Sequence, residues 1–280
     1  MQTWSFAKGH GTGNDFVILL DRHGMTDPSP AQVAMLCDRH TGIGGDGVLR
    51  VVPGHLVDDW TGDPDLWFMD YRNADGSVAQ MCGNGVRVFA RYLLEQGLVE
   101  GQTFTVGTRA GARQVTTDVH GEQFTVAMGE VTVGEDVEIE HDGVRHRATS
   151  ADVGNPHAVV VLDTLDTLQR LDLHRSPGWH PAEAFPAGVN VEFIVPGEPG
   201  RVAMRVHERG VGETQSCGTG TVAVAAVVGR DRSEAHTCQV VVPGGTVTVE
   251  LAELHGTGRQ ARLTGPAVLV AEGDVHVPTT

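Results

Sequence analysis

The sequence predicts an α/β protein of the α+β type, with two similar halves that each contain one helix surrounded by strands. The first observation is a repeated phrase, Gln-Met-Cys-Gly-Asn-Gly at 80–85 and Gln-Ser-Cys-Gly-Thr-Gly at 215–220, and each copy precedes an apolar, helix-like run. The second is that short segments of alternating apolar and polar residues, typical of strands, flank both runs. The third is that the run at 221–228 is apolar on all sides, as in a helix inside a core.

Local signals place the other elements in order along the chain. Ser29 followed by Pro30 is typical of a helix N-terminus, and Gly97 and Gly229 suit the position just after a helix. In the first half, these signals predict a helix at 29–39 and strands at 4–8, 16–20, 46–52 and 66–71. Residues 103–130 are expected to form hairpins, and further strands are expected at 158–162, 189–195, 202–207, 239–242, 246–251 and 268–271.

The composition excludes several classes of function. A formal net charge of −16 disfavours binding to nucleic acid or to an anionic membrane. The N-terminus has no apolar signal-peptide core, and no apolar run approaches the roughly 18 residues of a membrane span. Four cysteines in 280 residues do not make a disulfide scaffold. We therefore expect a cytoplasmic protein with reduced thiols that binds neither nucleic acid nor membrane.

The common cofactor and metal motifs fit poorly. Lys8 is the only lysine and has no phosphate-binding loop beside it, which disfavours a pyridoxal phosphate enzyme. Residues 42–47 match the glycine pattern of a dinucleotide site, but they follow a predicted helix and lead into a strand, the reverse of the required order. The fourteen histidines include no tight set with zinc-ligand spacing. We expect neither a cofactor nor a metal.

Cys82 and Cys217 are the candidate catalytic residues. A lone cysteine is usually a small buried hydrophobic residue, and we keep that interpretation for Cys37 and Cys238. Cys82 and Cys217 differ because both stand at a helix start, where the helix dipole favours a thiolate. The glycines that follow let backbone N–H groups approach an anionic ligand. Two such thiols, one in each half, indicate a pair of acid/base groups acting on one substrate.

Eight short segments occur in the order known from one enzyme family. They are residues 13–16, 38–44, 73–77, 82–85, 154–157, 188–190, 208–214 and 217–220. Each segment alone is a weak signal, but eight in order are specific, and they extend over most of the chain. In these segments the chain resembles the diaminopimelate epimerase family.

The resemblance implies cofactor-independent conversion of LL-2,6-diaminopimelate to meso-diaminopimelate, in lysine and peptidoglycan precursor biosynthesis. One cysteine, as a thiolate, would remove the α-proton, and the other, as a thiol, would deliver a proton to the opposite face. The resemblance also implies a homodimer of two-domain chains. Each of the pseudo-symmetric domains would be a barrel-like antiparallel sheet layer around a central helix, with the active site in the cleft between them. We place the domains at 1–125 and 126–265, and we expect the last strand, within 266–280, to return to the first domain.

The resemblance further implies a set of substrate-binding residues. Arg209 would hold the distal carboxylate through a bidentate ion pair, Glu208 would contact an amino group, and His157 would lie next to the reacting carbon. At Gly47 the chain departs from the family, whose members often carry Gln there. The other implied substrate-binding residues are Asn14, Asn73, Gly83, Asn84, Asn155, Asn190, Gly218 and Thr219.

Two alternatives remain open at this point. A proline or hydroxyproline racemase or epimerase would have the same fold and the same pair of cysteines, but it would not need a clamp for a distal carboxylate. A non-catalytic amino-acid-binding protein would not need both cysteines together with their glycines.

Overall fold

The computed structural model describes residues 1–279 and divides the chain into two compact units. Unit 1 contains Met1–Val126 and the segment from Gly265 onward, and unit 2 contains Ala127–Thr264. Over the described residues the protein is mostly sheet, with four short α-helices, and the predicted α+β class with two units is confirmed. Residue 280, the end of the predicted last strand, lies outside the described residues.

The strands and helices are numbered in chain order. The strands are β1 (Gln2–Gly11), β2 (Asn14–Leu20), β3 (Gly47–Pro53), β4 (Trp67–Asn73), β5 (Thr103–Val106), β6 (Arg113–Thr117), β7 (Gln123–His141), β8 (Val144–Asp152), β9 (Pro156–Val161), β10 (Gly178–His180), β11 (Asn190–Pro196), β12 (Arg201–Glu208), β13 (Gly212–Thr214), β14 (His236–Val242), β15 (Gly245–Leu251), β16 (Gly258–Pro266) and β17 (Val268–Val277). The helices are α1 (Pro30–Cys37), α2 (Gly83–Glu95), α3 (Leu165–Arg170) and α4 (Gly218–Val228).

Unit 1 contains a five-stranded sheet in the order β17-β1-β2-β3-β4, covered by a helix on each face. Val17 and Leu19 pack with Val33 and Leu36 of α1 on one face. On the other face, Phe16 lies against the first turn of α2. Burial on both faces explains why β2 and β3 are continuous apolar runs rather than alternating ones.

Unit 2 contains a sheet that closes on itself around α4. Its strands follow the order β16-β15-β14-β12-β11-β9-β8-β7, and β16 pairs in addition with β7. Helix α4 packs against β8, β9, β11, β14 and β15, and every residue from Gly220 to Val227 is buried. An apolar surface on all sides of a helix matches this enclosed position.

The predicted sheets were antiparallel, but three strand pairs are parallel. They are β2 with β3, β9 with β11, and β12 with β14. Along the chain, the two strands of each pair are separated by a helix, which is α1, α3 and α4, respectively. This helix returns the chain to the end of the sheet at which the first strand began. Such a crossover makes its two strands parallel, whereas a tight turn makes them antiparallel. The sheets are therefore mixed, with antiparallel pairs in the majority.

Helix α1 shows how local sequence sets an element's ends. The hydroxyl of Ser29 accepts from the Gln32 N–H, and the side chain of Gln32 accepts from the Ser29 N–H, which completes a capping box. The helix ends two residues before the predicted end at 39, because Asp38 adopts an extended conformation. Its carboxylate accepts from the N–H groups of His40 and Thr41 instead. Across residues 1–279, no helix combines the length and apolar character needed to cross a membrane.

Candidate active site

The thiol of Cys82 lies at the start of α2, in contact with Asn14. Cys82 is the N-cap residue, and its Sγ accepts from the Gly85 N–H at 3.4 Å. The same Sγ lies 3.5 Å from Asn14 Oδ1, which also accepts from Asn84 Nδ2 at 3.3 Å. Gly83 and Asn84 form the first turn of the helix, where backbone N–H groups have no partner within the helix. The structure thus brings together Cys82, Asn14, Gly83 and Asn84, all predicted from the sequence.

The side chain of Asn14 is hydrogen-bonded to a cluster of four charged side chains joined by ion pairs. Asn14 Nδ2 donates to Asp46 Oδ2 at 2.6 Å, and Arg39 pairs with both Asp46 and Asp15. Lys8 Nζ lies 2.6 Å from Asp15 Oδ2. Burial would raise the pKa of Asp15, but hydrogen bonds from Arg39 and Lys8 outweigh it and hold that pKa well below its usual range. Burial raises the pKa of Asp46. This cluster was missed in the sequence, where its members are separated by up to 38 positions.

Asn73 and Gly47 lie opposite each other on β4 and β3. The side-chain amide of Asn73 donates to Ser77 Oγ at 2.9 Å, within the turn that ends β4. In the described part of the chain, no hydrogen bond links Asn73 to Cys82. A Cβ added at Gly47 would lie 2.4 Å from the Arg72 carbonyl oxygen and 2.7 Å from a Tyr71 ring carbon. The backbone of β4 and the Tyr71 ring therefore leave no room for the glutamine often found here in the family.

The thiol of Cys217 occupies the equivalent place at the start of α4. Cys217 is the N-cap residue and is buried, and its Sγ lies 3.5 Å from Thr219 Oγ1. Burial raises the pKa of Cys217 well above its usual value, and the carboxylates of Glu208 and Glu192 raise it further. Gly218 and Thr219 form the first turn of α4, as Gly83 and Asn84 do in α2.

A fully buried His157–Glu192 pair lies behind the first turn of α4. His157 Nδ1 is 2.7 Å from Glu192 Oε1, and its Nε2 is 3.1 Å from Asn155 Oδ1. Asn155 Nδ2 in turn lies 3.5 Å from Thr219 Oγ1. A Cβ at Gly220 would lie 2.6 Å from Glu192 Oε1, so this glycine leaves the space that the carboxylate fills. Hydrogen bonds therefore connect His157, through Asn155, to Thr219 in the first turn of α4.

Glu192 was missed in the sequence, although a signal for it exists. It is the only charged residue in β11, whose other residues are apolar except for Asn190 at the start. A carboxylate inside a buried strand requires a partner and often marks a site. This single charged residue in an apolar strand is enough to predict Glu192 as a candidate site residue.

Glu208, Arg209 and Asn190 lie together at the ends of β12 and β11. Burial raises the pKa of Glu208, whose carboxylate accepts from the Thr214 hydroxyl. The Arg209 N–H donates to Asn190 Oδ1 at 2.9 Å, and Arg209 Nη1 donates to the Ala187 carbonyl at 2.9 Å. The Arg209 guanidinium is exposed and has no carboxylate partner among residues 1–279. It is therefore available to bind an anion.

Among residues 1–279, no cluster of three or more His, Cys, Asp or Glu side chains has a geometry that could hold a metal ion.

Comparison with known proteins gives solved structures with the same fold. A phenazine biosynthesis protein of the PhzF family from Bacillus anthracis has a TM-score of 0.76 at 18% identity, over 99% of this chain and 100% of that one. A hydroxyproline epimerase from Agrobacterium vitis, with bound trans-4-hydroxy-L-proline, has a TM-score of 0.69 at 18% identity, over 98% and 92%. At this level of identity, both matches support the fold alone.

Closer relatives identify the family. The diaminopimelate epimerase of Corynebacterium glutamicum is 46% identical over 98% of this chain and 99% of its own length. That of Thermobifida fusca is 51% identical over 97% of this chain and 98% of its own. The family model described as diaminopimelate epimerase matches residues 6–134 and 149–270. The predicted resemblance is confirmed, and the chain is an isomerase that belongs to the diaminopimelate epimerase family.

Proposed function

We propose that the protein interconverts LL- and meso-2,6-diaminopimelate without a cofactor, and that Cys82 and Cys217 are its two acid/base groups. The observation that carries the proposal is that each cysteine is the N-cap of a buried helix, with glycine next in the chain. The two local environments differ, since the Asn14 side-chain amide contacts the thiol of Cys82, whereas the Glu208 and Glu192 carboxylates raise the pKa of Cys217. A pair of unlike thiols suits a reaction that needs one base and one acid.

The proposed chemistry is a proton transfer on each face of one α-carbon. A thiolate takes the α-proton, so that an S–H bond forms and the C–H bond breaks. The electron pair left on carbon is delocalised into the α-carboxylate. The second cysteine, as a thiol, then delivers its proton to the opposite face and becomes the thiolate. One proton enters and one leaves, and the configuration at that carbon is inverted.

The first turns of the two helices are the proposed binding groups for the α-carboxylate. Backbone N–H groups at a helix N-terminus bind anions, and here they belong to Gly83 and Asn84 of α2 and to Gly218 and Thr219 of α4. Such donors stabilise the additional negative charge of the transition state most strongly when water is excluded. We propose that Asn14, Asn155 and His157 position the reacting amino acid. We also propose that Asn73 binds the substrate, from its place in the turn that ends β4.

The distal end of the substrate is assigned to Arg209, Glu208 and Asn190. The exposed guanidinium of Arg209 is held by the Ala187 carbonyl, which leaves most of its N–H donors free for a carboxylate. The Glu208 carboxylate would accept from the distal ammonium group. Asn190 fixes the backbone of Arg209 through its N–H. This clamp favours a dicarboxylic amino acid over proline or hydroxyproline.

Arg209→Lys is expected to raise KM for diaminopimelate by about ten- to a hundredfold, with a smaller change in kcat. A lysine ammonium cannot reproduce the two parallel hydrogen bonds of a guanidinium to a carboxylate. The measurement is a steady-state assay of both isomers. Arg201→Lys, on an exposed arginine at the start of β12, is the matched control and should leave KM unchanged. An unchanged KM in Arg209→Lys would place the distal carboxylate elsewhere.

The proposed function is tested by incubating the purified protein with LL-diaminopimelate in deuterated water. We expect meso-diaminopimelate with one deuterium at the inverted α-carbon, with no need for added pyridoxal phosphate. L-Proline and trans-4-hydroxy-L-proline are assayed in parallel. Inversion of either of these, without reaction of diaminopimelate, would favour the racemase alternative. Binding of diaminopimelate without deuterium exchange would favour a non-catalytic binding protein.

The biological setting is proposed from the family. Meso-diaminopimelate is a precursor of lysine and peptidoglycan, and we propose that the protein supplies it in the cytoplasm. We also propose a homodimer. Sedimentation equilibrium of the purified protein at several concentrations distinguishes a dimer from a monomer.

A further inference from the structure

Arg87 is a cation buried inside unit 1 without a carboxylate partner. It lies in the second turn of α2 with 0% of its surface exposed and is among the largest fully buried side chains. Its Nη2 donates to Thr12 Oγ1 at 3.1 Å and its Nε to the Pro266 carbonyl at 3.3 Å, and both acceptors are neutral. Its Nη1 is buried with no hydrogen-bond partner among residues 1–279, and no described carboxylate forms an ion pair with it.

The guanidinium stays charged in this position at neutral pH. Burial lowers the pKa of Arg87 to about 10, and negative charge on Cys82 acts in the opposite direction and limits the decrease. A buried charge is costly unless an opposite charge compensates it. The missing partner of Arg87 is therefore an anion, and Cys82 is the ionisable group placed to supply it.

The turn between β1 and β2 links Arg87 to Cys82. Thr12 in this turn accepts from the guanidinium, and Asn14, two residues later, lies 3.5 Å from Cys82 Sγ. A Cβ at Gly11 would lie 3.1 Å from Arg87 Nη2 and 3.1 Å from the Asn84 carbonyl oxygen. The guanidinium therefore lies beside the first turn of the helix that Cys82 begins.

The other charges near Cys82 balance one another. Lys8 and Arg39 supply two positive charges, and Asp15 and Asp46 supply two negative ones, all joined by ion pairs in one cluster. With that cluster neutral as a whole, the buried guanidinium is the uncompensated charge in this region.

Three further titratable side chains lie in neighbouring segments. His10 Nδ1 lies 3.4 Å from a backbone N–H of the β1–β2 turn. Tyr71 of β4 packs edge-on against Phe16, which lies against the start of α2. Burial raises the pKa of Cys37 to about 12, so that thiol stays protonated at neutral pH. None of these three side chains is a carboxylate that could neutralise Arg87.

We propose that Arg87 is a positioning residue that supplies the counter-charge for a Cys82 thiolate, so that Cys82, and not Cys217, carries the negative charge in the substrate-free protein. The surroundings of Cys217 are the opposite, because that thiol faces two carboxylates, Glu208 and Glu192. The role of the thiolate as a base rests on the proposed function. The charge assignment itself does not, because it concerns the protein without substrate.

The test is the pH dependence of alkylation by iodoacetamide, measured separately on each thiol. Cys217→Ala isolates Cys82, Cys82→Ala isolates Cys217, and the double variant gives the background from Cys37 and Cys238. We expect Cys82 to react with a midpoint below about pH 7.5, as an activated thiolate does, and Cys217 to react only at higher pH. Reaction of Cys217 at the lower pH would overturn the proposal.

Variants of Arg87 test the source of the effect. Arg87→Met should shift the Cys82 midpoint upward by about 1–2 pH units, and Arg87→Lys, which keeps the charge, should restore most of that shift. The matched control is Arg91→Met, one turn along α2, where the arginine pairs with Glu95 near the surface and should not affect the midpoint. An unchanged midpoint in Arg87→Met, or equal shifts in the Met and Lys variants, would contradict the proposal.

Thiolate absorbance at 240 nm provides a test that does not depend on whether Arg87→Met folds. At pH 7.5 the substrate-free wild type should show about one thiolate, lost in Cys82→Ala and kept in Cys217→Ala. Absorbance that survives in Cys82→Ala would overturn the proposal. These measurements use no substrate, so they can succeed while the diaminopimelate assay fails, and the reverse is also possible.

Discussion

Cys82→Ala and Cys217→Ala are each expected to reduce kcat for epimerisation by at least about 10³-fold. Inversion needs a base on one face of the α-carbon and an acid on the other, and alanine removes one of them. The measurement is single-isomer turnover of LL- and meso-diaminopimelate, in both directions.

The control for this prediction uses the other two cysteines. Burial raises the pKa of Cys37 to about 12 and that of Cys238 to about 11, so neither should act as a base near neutral pH. Cys238→Ala should retain wild-type kcat. Substantial epimerisation by either Cys82→Ala or Cys217→Ala would contradict the two-thiol mechanism, even if both proteins bind the substrate normally.

Glu192→Ala is expected to lower the free energy of unfolding by about 3–5 kcal/mol, the usual result of removing one member of a buried pair. It leaves His157 Nδ1 buried without its partner, where the hydrogen bond is 2.7 Å long in the intact protein. His157 also holds Asn155, which reaches Thr219 at the start of α4, so we expect kcat to fall as well. Urea denaturation and steady-state assays measure the two effects.

The conservative variant separates lost hydrogen bonding from lost volume. Glu192→Gln keeps an acceptor of the same size for His157, and it should cost less than about 2 kcal/mol of unfolding free energy. Glu250→Ala, an exposed carboxylate on β15, should change that free energy by no more than about 0.5 kcal/mol. If Glu192→Ala lowered the free energy of unfolding no more than Glu250→Ala does, the His157–Glu192 pair would have no structural role.

Elements with strong local signals could be predicted from the sequence. The two cysteine helices begin within the repeated phrase, directly after its cysteine, and β2 and β3 are apolar runs because both faces of their sheet are covered. Strand β8 has no such signal, because Arg145 and Arg147 and most of its first half are exposed. The parallel pairs were also missed, since strand direction depends on where a crossover helix packs and not on the strand's own residues.

Some residues of the candidate site could likewise be predicted from the sequence, and others could not. Cys82, Cys217 and their neighbouring glycines could be found because the chemistry and the helix start lie in one short segment. Asp46, Arg87 and Glu192 were missed because their role depends on which distant residues surround them. A charged side chain in an otherwise buried segment was the available signal for Arg87 and Glu192, and for Glu192 it was clear. Asn73 was predicted from its segment, but its side-chain amide bonds within a turn.

The carboxylate of Glu192 and the glycine at 220 constrain each other's evolution. A methyl group at position 220 would lie 2.6 Å from the carboxylate oxygen, well inside van der Waals contact. Substitution of Gly220 by alanine is therefore compatible with this backbone only in a chain where position 192 has become smaller. We expect these two positions to covary among homologues, and a library that randomises position 220 alone would select glycine. Randomising them together would reveal sequences that neither single search can reach.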